Sequence, residues 1–404
     1  MKSIFTMKDN FFRTLPLVLI ITLALQTLVS IAQFHEAVSW VGLTSSAPLP
    51  AEINLIYSDI ETSRVEITTH GFWKENIRAV PGGYNEIKAS VMNSSPLLIK
   101  GAPDLEKLTV SLAIPDSARM EVIVTGEEFT DMEDIRIIPS KGNLTRDVNP
   151  GDIPYEYGSE YETDAFFPGV ITELRTPHII RDVRGQVMVI YPFRYNPVRK
   201  TLRVYTRLVI EMRVAGQDGE NKMTEMREDD SRVRAFEGIY ERNFINYQEY
   251  KSASRYIPLE DDGNMLIISY GPFMADMQDF TDWKNMSGIP TEMVNVSTIG
   301  TNSAAIKSYV ADYYNANGLT YLLLVGDAAQ VPASATGAGV SDNDYGYVVG
   351  SDHYPDIFVG RFSAENNAHV QTQVQRTLDY EMEPVTLPGP FPRAMCIASN
   401  QGPG

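Results

Sequence analysis

The chain has one cysteine in 404 residues, Cys396. No intrachain disulfide can form, so packing or bound metal must hold an exported version of it together. Basic residues are also scarce. Lys and Arg total 34 against 52 Asp and Glu, which leaves a net charge of -18 and a pI of about 4.7. That balance offers no basic face to phosphates and none to anionic lipid, so it excludes nucleic acid as the partner and argues against adsorption to anionic membranes. Familiar catalytic signatures are missing too: no Gly-x-Ser-x-Gly elbow, no His-Glu-x-x-His, no Walker loop and no dinucleotide fingerprint after a strand. The only imidazoles are His35, His70, His178, His353 and His369, and none stands in a context that pairs it with Cys396. Cys396 is flanked by Met395 and Ile397 inside a strand signal. It reads as a small buried hydrophobe, since a nucleophilic thiol needs exposure, an electropositive setting and a positioned base.

What is present describes a folded, exported, multidomain protein. Hydrophobic residues make up 43% and aromatics 10%, and the length predicts two or three domains. Lys2, Lys8 and Arg13 precede an uncharged stretch from Leu15 to Leu28, and Ser30-Ile31-Ala32 presents small residues where a signal peptidase reads them. Residues 1–32 are therefore expected to be a signal peptide cleaved before Gln33, with the mature protein secreted or on the cell surface and not membrane-embedded. The other reading, an uncleaved anchor, asks for a longer apolar run.

Residues 33–215 read as all-β and sandwich-like. Leu202, Val204, Thr206, Leu208, Ile210, Met212 and Val214 alternate with polar residues, as do Leu108, Val110 and Leu112, the signature of strands with one buried face. Residues 216–263 carry dense charge of both signs and read as a partly helical or extended linker. From Asn264 the period changes. Short apolar runs at Met265–Ser269, Tyr321–Val325, Ile357–Val359 and Ala394–Ala398 alternate with helical patterns, one capped by Asn302 and another expected to be capped by Ser363. This predicts an α/β parallel sheet covered on both faces.

Two places could carry chemistry. Asp327 directly follows a strand, where open parallel sheets gather ligands, although Asp also caps turns there. Asp352, His353, Tyr354 and Asp356 precede the strand at Ile357. Two carboxylates four residues apart in irregular backbone suit a hard cation such as calcium, but loops rich in Asp are usually just solvated turns. Asp342-Asn343-Asp344-Tyr345-Gly346 begins like an EF-hand loop and fails at its twelfth position, His353.

The order and spacing of several segments are more specific. They are Phe280-Thr281-Asp282-Trp283-Lys284-Asn285, Leu319 through Asp327, Tyr345-Gly346, Gly350-Ser351-Asp352-His353-Tyr354, Phe358-Val359-Gly360-Arg361-Phe362-Ser363 and Cys396-Ile397-Ala398-Ser399. Together they resemble the N-terminal part of the catalytic domain of the gingipain family of secreted bacterial cysteine peptidases. Tyr191-Pro192-Phe193-Arg194-Tyr195-Asn196-Pro197 resembles that family's propeptide.

The resemblance implies a caspase-like α/β fold for residues 264–404, cut short, behind an inhibitory prodomain. It implies proteolysis of protein or peptide substrates by a Cys/His pair that lies after the position of Gly404, so this chain would itself be inactive. It implies structural calcium held by Asp327, the carbonyls of Val349 and Tyr354, and the carboxylates of Asp352 and Asp356. It implies maturation by cleavage between Arg255 and Tyr256, with the prodomain folded against its own catalytic domain. The competing expectation is a secreted, non-catalytic β-sandwich protein that binds, adheres or inhibits.

Overall fold

A computed structural model of the chain describes residues 38–77, 86–223, 231–253, 259–336 and 339–382. The predicted signal peptide, the Arg255–Tyr256 bond, Cys396 and the predicted strand Ala394–Ala398 lie outside the described residues.

The spine of the first half is the strand Thr201–Gly216, the long alternating segment of the sequence. It pairs antiparallel with Arg119–Met132, Thr62–Thr68 and Phe193–Asn196. The strand Val183–Ile190 pairs with Glu106–Ala113, Thr172–Leu174 and His178–Ile180 in a second sheet. Val65, Ile67, Leu208, Ile210 and Met212 of the first sheet meet Leu108, Val110, Leu112, Met188 and Ile190 of the second in one core. Two half-polar sheets can bury their apolar faces only against each other, so the sandwich follows from the alternation. A small sheet of Ser39–Gly42, Gly71–Ile77 and Glu86–Ser90 closes one end around Phe72, Phe193 and Tyr195.

The second half is a four-stranded parallel sheet in the order 291–295, 265–269, 321–325, 358–362. Its strands are apolar on both faces because helices cover both. Leu266, Ile268, Leu322 and Leu324 face the helix Ser303–Asn317 through Ile306, Val310 and Tyr314. Met265, Ile267, Leu323 and Val325 face Phe273, Met277 and Phe280, with Val370 and Val374 of the helix Asn367–Met382. Asn302 caps the first of these helices by accepting from the Ala305 N–H at 2.9 Å, as predicted. The last helix departs from the sequence reading. It begins at Asn367, and Asn366 rather than Ser363 accepts its His369 N–H, at 3.1 Å.

Where described, the stretch 216–263 holds two helices and the short strands Ser231–Val233 and Leu259–Asp261, which pair in parallel, and it packs into the molecule instead of lying free as a linker. Helices Arg234–Asn243 and Tyr247–Ala253 bury Phe236, Tyr240, Phe244 and Tyr247 in a core shared with Ala113, Ile180 and Val183 of the sandwich and Phe358 of the parallel sheet. Buried Asn246 accepts from the Ala113 N–H at 2.7 Å and donates to the Ala113 carbonyl at 3.0 Å, pairing with that strand as a backbone would. In the helix Arg234–Asn243, Arg234, Glu241 and Arg242 are exposed while Phe236 and Tyr240 are buried.

Candidate functional site: the acidic loop and the seat of Arg181

Parallel strands run from an N-terminal edge, at Met265, Tyr321 and Phe358, to a C-terminal edge at Ser269, Val325 and Phe362. Asp327 lies beyond the C-terminal edge. Its N–H donates to the Ala364 carbonyl at 2.9 Å, its own carbonyl accepts from Gln330 and Val331, and Ser363 Oγ donates to its Oδ1 at 3.3 Å. This is the turn-forming role. Beside it Arg361 makes a bidentate pair with Asp342 at 2.7 Å on each arm, and its Nη1 donates to the Gly326 and Val331 carbonyls.

Asp352 and Asp356 lie at the opposite edge. Asp356 is fully buried. Its Oδ2 accepts from the N–H groups of Val348 and Val349 at 3.0 and 2.8 Å, and its Oδ1 accepts from the Arg181 N–H at 2.8 Å. Burial, reinforced by the Asp352 charge, pushes the Asp356 carboxyl up to about 7 against the pull of those three donors. Asp352 Oδ1 accepts from the Tyr354 N–H at 2.9 Å, and its Oδ2 accepts from the Ile179 N–H and Asn221 Nδ2, both at 2.7 Å.

The structure therefore does not gather the residues expected to hold calcium. A five-residue strand, about 17 Å long, separates Asp327 from Asp356. Val349 and Tyr354, expected to offer carbonyls, instead turn N–H groups toward the two carboxylates. A calcium shell consists of oxygens whose lone pairs face the ion. Here the carboxylates are faced by N–H donors, whose positive ends repel a cation. As arranged, these residues do not fit calcium.

What faces the acidic loop is a β-hairpin of the sandwich. Ile180 pairs with Val183, so Arg181 and Asp182 form a two-residue turn. The hairpin's free edge would expose the N–H groups of Ile179 and Arg181, an unpaired strand edge. Asp352 and Asp356 take one each. Arg181, only 3% exposed, sends its side chain to the end of the helix Ser303–Asn317. Nη1 donates to the carbonyls of Leu319 and Asp356 at 2.7 and 3.1 Å, and Nη2 reaches the Gly318 carbonyl at 3.3 Å. Of these, Gly318 is the C-cap of that helix, whose negative pole favours a cation. Phe236 and Tyr314 place their rings 5.1 and 5.5 Å from the guanidinium carbon.

A second arginine holds the neighbouring strap. Arg184, fully buried, donates to the carbonyls of Pro115, Ala118, Glu220 and Asn221 at 2.7–2.9 Å. Asn221, fixed in this way, donates to Asp352 and accepts the Ser351 N–H at 3.0 Å. His178 stacks between Phe244 and Tyr354 with centroids 5.8 and 4.2 Å away. Burial holds its imidazole below the ordinary range, against the opposing pull of Asp352.

The sequence reading found Asp352, Tyr354 and Asp356 but missed Arg181, Arg184, Asn221 and His178. One signal was available: an Arg-Asp turn flanked by Ile179-Ile180 and Val183 places a charge inside an apolar run. Among the described residues no thiol is present, and His70 is occupied by Thr44 and Glu52. No group of three or more His, Cys, Asp or Glu positioned for a metal occurs among the described residues.

The propeptide model Propeptide_C25 matches residues 84–254, and the model for Peptidase family C25 matches residues 259–403. Gingipain R2 of Porphyromonas gingivalis is 41% identical over 309 residues, covering 75% of this chain and 41% of that protein. Gingipain R1 of the same organism is 37% identical over 353 residues, covering 85% of this chain and 35% of that one. The chain thus spans less than half the length of these relatives. A solved structure described as a complex of Porphyromonas gingivalis RgpB pro- and mature domains is 34% identical, covers 50% of this chain and 99% of its own, and superposes with a TM-score of 0.45.

Proposed function

The chain belongs to peptidase family C25, the gingipain family, and on that premise we propose that it forms the propeptide and the leading part of the peptidase domain of a secreted cysteine endopeptidase precursor. One observation carries the reading. The propeptide match ends at residue 254, the peptidase match begins at 259, and the two parts pack against each other through the Arg181 seat. The full-length enzyme would cleave peptide bonds in proteins by thiolate attack, with a His and a Cys in residues beyond this sequence. The sandwich would act as the inhibitory prodomain. Cleavage after Arg255, in the short interval between the two matches, would begin maturation. Export rests on the N-terminal pattern of Lys2, Lys8, Arg13 and the apolar stretch after it. No helix among the described residues is long and apolar enough to cross a membrane.

The test is hydrolysis of arginyl and lysyl peptides. The full-length product, once processed, is expected to hydrolyse them and to lose activity on thiol alkylation, with an N-terminus at Tyr256. The 404-residue chain is expected to be inert. Hydrolysis by this chain that Cys396→Ala abolishes would overturn the reading. The competing reading, a binding or adhesion protein, has no observation in its favour.

A further inference from the structure

We propose that Lys88 and Asp104 join in an intramolecular isopeptide bond, with Glu106 as the proton carrier. The bond would staple one end of the sandwich in a chain whose single cysteine rules out an intrachain disulfide.

Lys88 is the third residue of the strand Glu86–Ser90, and Asp104 lies two residues before the strand Glu106–Ala113. Both main chains are pinned to one segment that runs between them. The Ile87 N–H donates to the Arg136 carbonyl at 2.7 Å, the Ile138 N–H donates to the Ile87 carbonyl at 3.1 Å, and the Asp104 N–H donates to the Ile138 carbonyl at 2.8 Å. Two strands that share a middle partner stand about 10 Å apart, a span that a Lys and an Asp side chain fill end to end. Lys88 Nζ accordingly reaches to 3.5 Å from Asp104 Oδ2, with the Asp104 side chain 16% exposed. Rival carboxylates are otherwise engaged. Glu86 accepts the Tyr157 hydroxyl on both oxygens, at 2.7 and 2.6 Å, and Glu75, opposite Lys88 in the next strand, is exposed to solvent.

Glu106 is 7% exposed. Its Oε2 accepts the Val91 N–H at 2.8 Å and the Ser94 hydroxyl, which fix the carboxyl in place, and the charges of Lys88 and Asp104 both act on it. Burial raises the carboxyls of Asp104 and Glu106 above the ordinary range. A protonated Asp104 is an electrophile, which a carboxylate is not, and Glu106 is a stronger base than a solvated carboxylate. Glu106 takes a proton from the Lys88 ammonium. The free amine attacks Asp104 Cγ and the C–N bond forms. Glu106 passes its proton to the departing hydroxyl, the C–O bond breaks, water leaves, and Glu106 takes up the extra proton of the new amide nitrogen. No oxidant, metal or cofactor enters. Fixed neighbours make the step intramolecular, which removes most of its entropic barrier. A neutral amide also replaces a charge pair that burial disfavours.

The test is the intact mass and peptide map of the folded 404-residue chain. The parent is expected to weigh one water less than its sequence. Proteolysis after denaturation is expected to release one branched peptide that joins Lys88 to Asp104. Lys88→Arg and Asp104→Ala should each regain the full mass. Lys88→Arg keeps the charge, so a fall in its thermal midpoint of about 5–10 °C reports the lost staple. Glu106→Gln keeps Lys88 and Asp104 without the proton carrier, and on refolding should cross-link at least about 100-fold more slowly than the parent. If Lys88→Arg fails to fold, the parent's branched peptide and the Glu106→Gln rate carry the test. A parent that stays at full mass after prolonged incubation holds an ion pair only, which overturns the bond. A water loss that persists in Asp104→Ala overturns it as well. Cross-linking of Glu106→Gln at the parent rate overturns the part given to Glu106.

Discussion

The main-chain N–H of Arg181 donates to Oδ1 of Asp356 at 2.8 Å, across 175 residues of sequence and between two domains. The carboxylate whose spacing suits a cation takes the edge of a hairpin instead. A strand edge needs acceptors two residues apart, and the loop 348–356 supplies them from Asp352 and Asp356. Several consequences can be measured.

Asp356 makes stability depend on pH in an unusual direction. Its folded-state carboxyl is raised to about 7 from an ordinary 3.8, so the folded chain holds a proton that the unfolded chain releases. The contribution is complete below about pH 4 and is lost as pH rises to about 7. Urea unfolding from pH 4.5 to 8 should show the parent losing stability with rising pH relative to Asp356→Asn. A difference that is flat with pH would refute the assignment.

His178 works in the opposite sense. Its imidazole is held below the ordinary 6.5 by burial, so the neutral ring between Phe244 and Tyr354 contributes stability above pH 6.5, which is lost as pH falls. His178→Phe keeps the stack and removes the titration. The acid limb of the stability profile should flatten in this variant and persist in Asp356→Asn.

Arg184→Met should cost about 3 kcal/mol or more, because it leaves the carbonyls of Pro115, Ala118, Glu220 and Asn221 buried without donors. Arg184→Lys should recover little, since one ammonium cannot reach all four. Urea midpoints with an unchanged slope would establish that the loss is one of stability. A cost under about 0.5 kcal/mol would contradict the role given to this residue.

Gly350→Ala combines a left-handed backbone, φ 72°, with a close approach to Asn221 and Ile179. A loss of about 1–3 kcal/mol is expected. Gly339, at φ 140° with open space around its Cβ position, is the control. Its Ala variant meets backbone strain without the interface, so its loss should be the smaller of the two.

Calcium should leave this chain's thermal midpoint unchanged at a few millimolar, above the range of about 10⁻⁴–10⁻³ M typical of extracellular modules. A rise in the midpoint that Asp352→Asn removes would show that the acidic loop opens to take the ion in place of the hairpin.

Much of the fold was legible in the residues. Alternation at Leu202–Val214 identified a strand with one buried face, and the apolar runs at 265–269 and 321–325 identified strands covered on both, because burial leaves its period in the sequence. The cap at Asn302 was readable because capping is local. The cap at Ser363 was misplaced by three residues: Ser363 instead serves Asp327, a partner that only the sheet register provides. The aromatics of 236–247 were hidden by the surrounding charge, since a helix with one buried face and one dense in charge has the composition of a linker.

The acidic loop marks the boundary between the two kinds of information. The sequence by itself determined the sandwich, the parallel sheet, the family, and the presence of two carboxylates four residues apart before a strand. The sandwich and the sheet follow from period and local order, and the family from the resemblance carried by the ordered segments between Phe280 and Ser399. Only the tertiary structure decided what the carboxylates bind. Oxygens at that spacing serve a cation or a row of N–H donors equally well. The donors come from Ile179, Arg181 and Asn221, more than a hundred residues earlier in the chain. Packing of the sandwich against the sheet brings them there, and no local pattern records it.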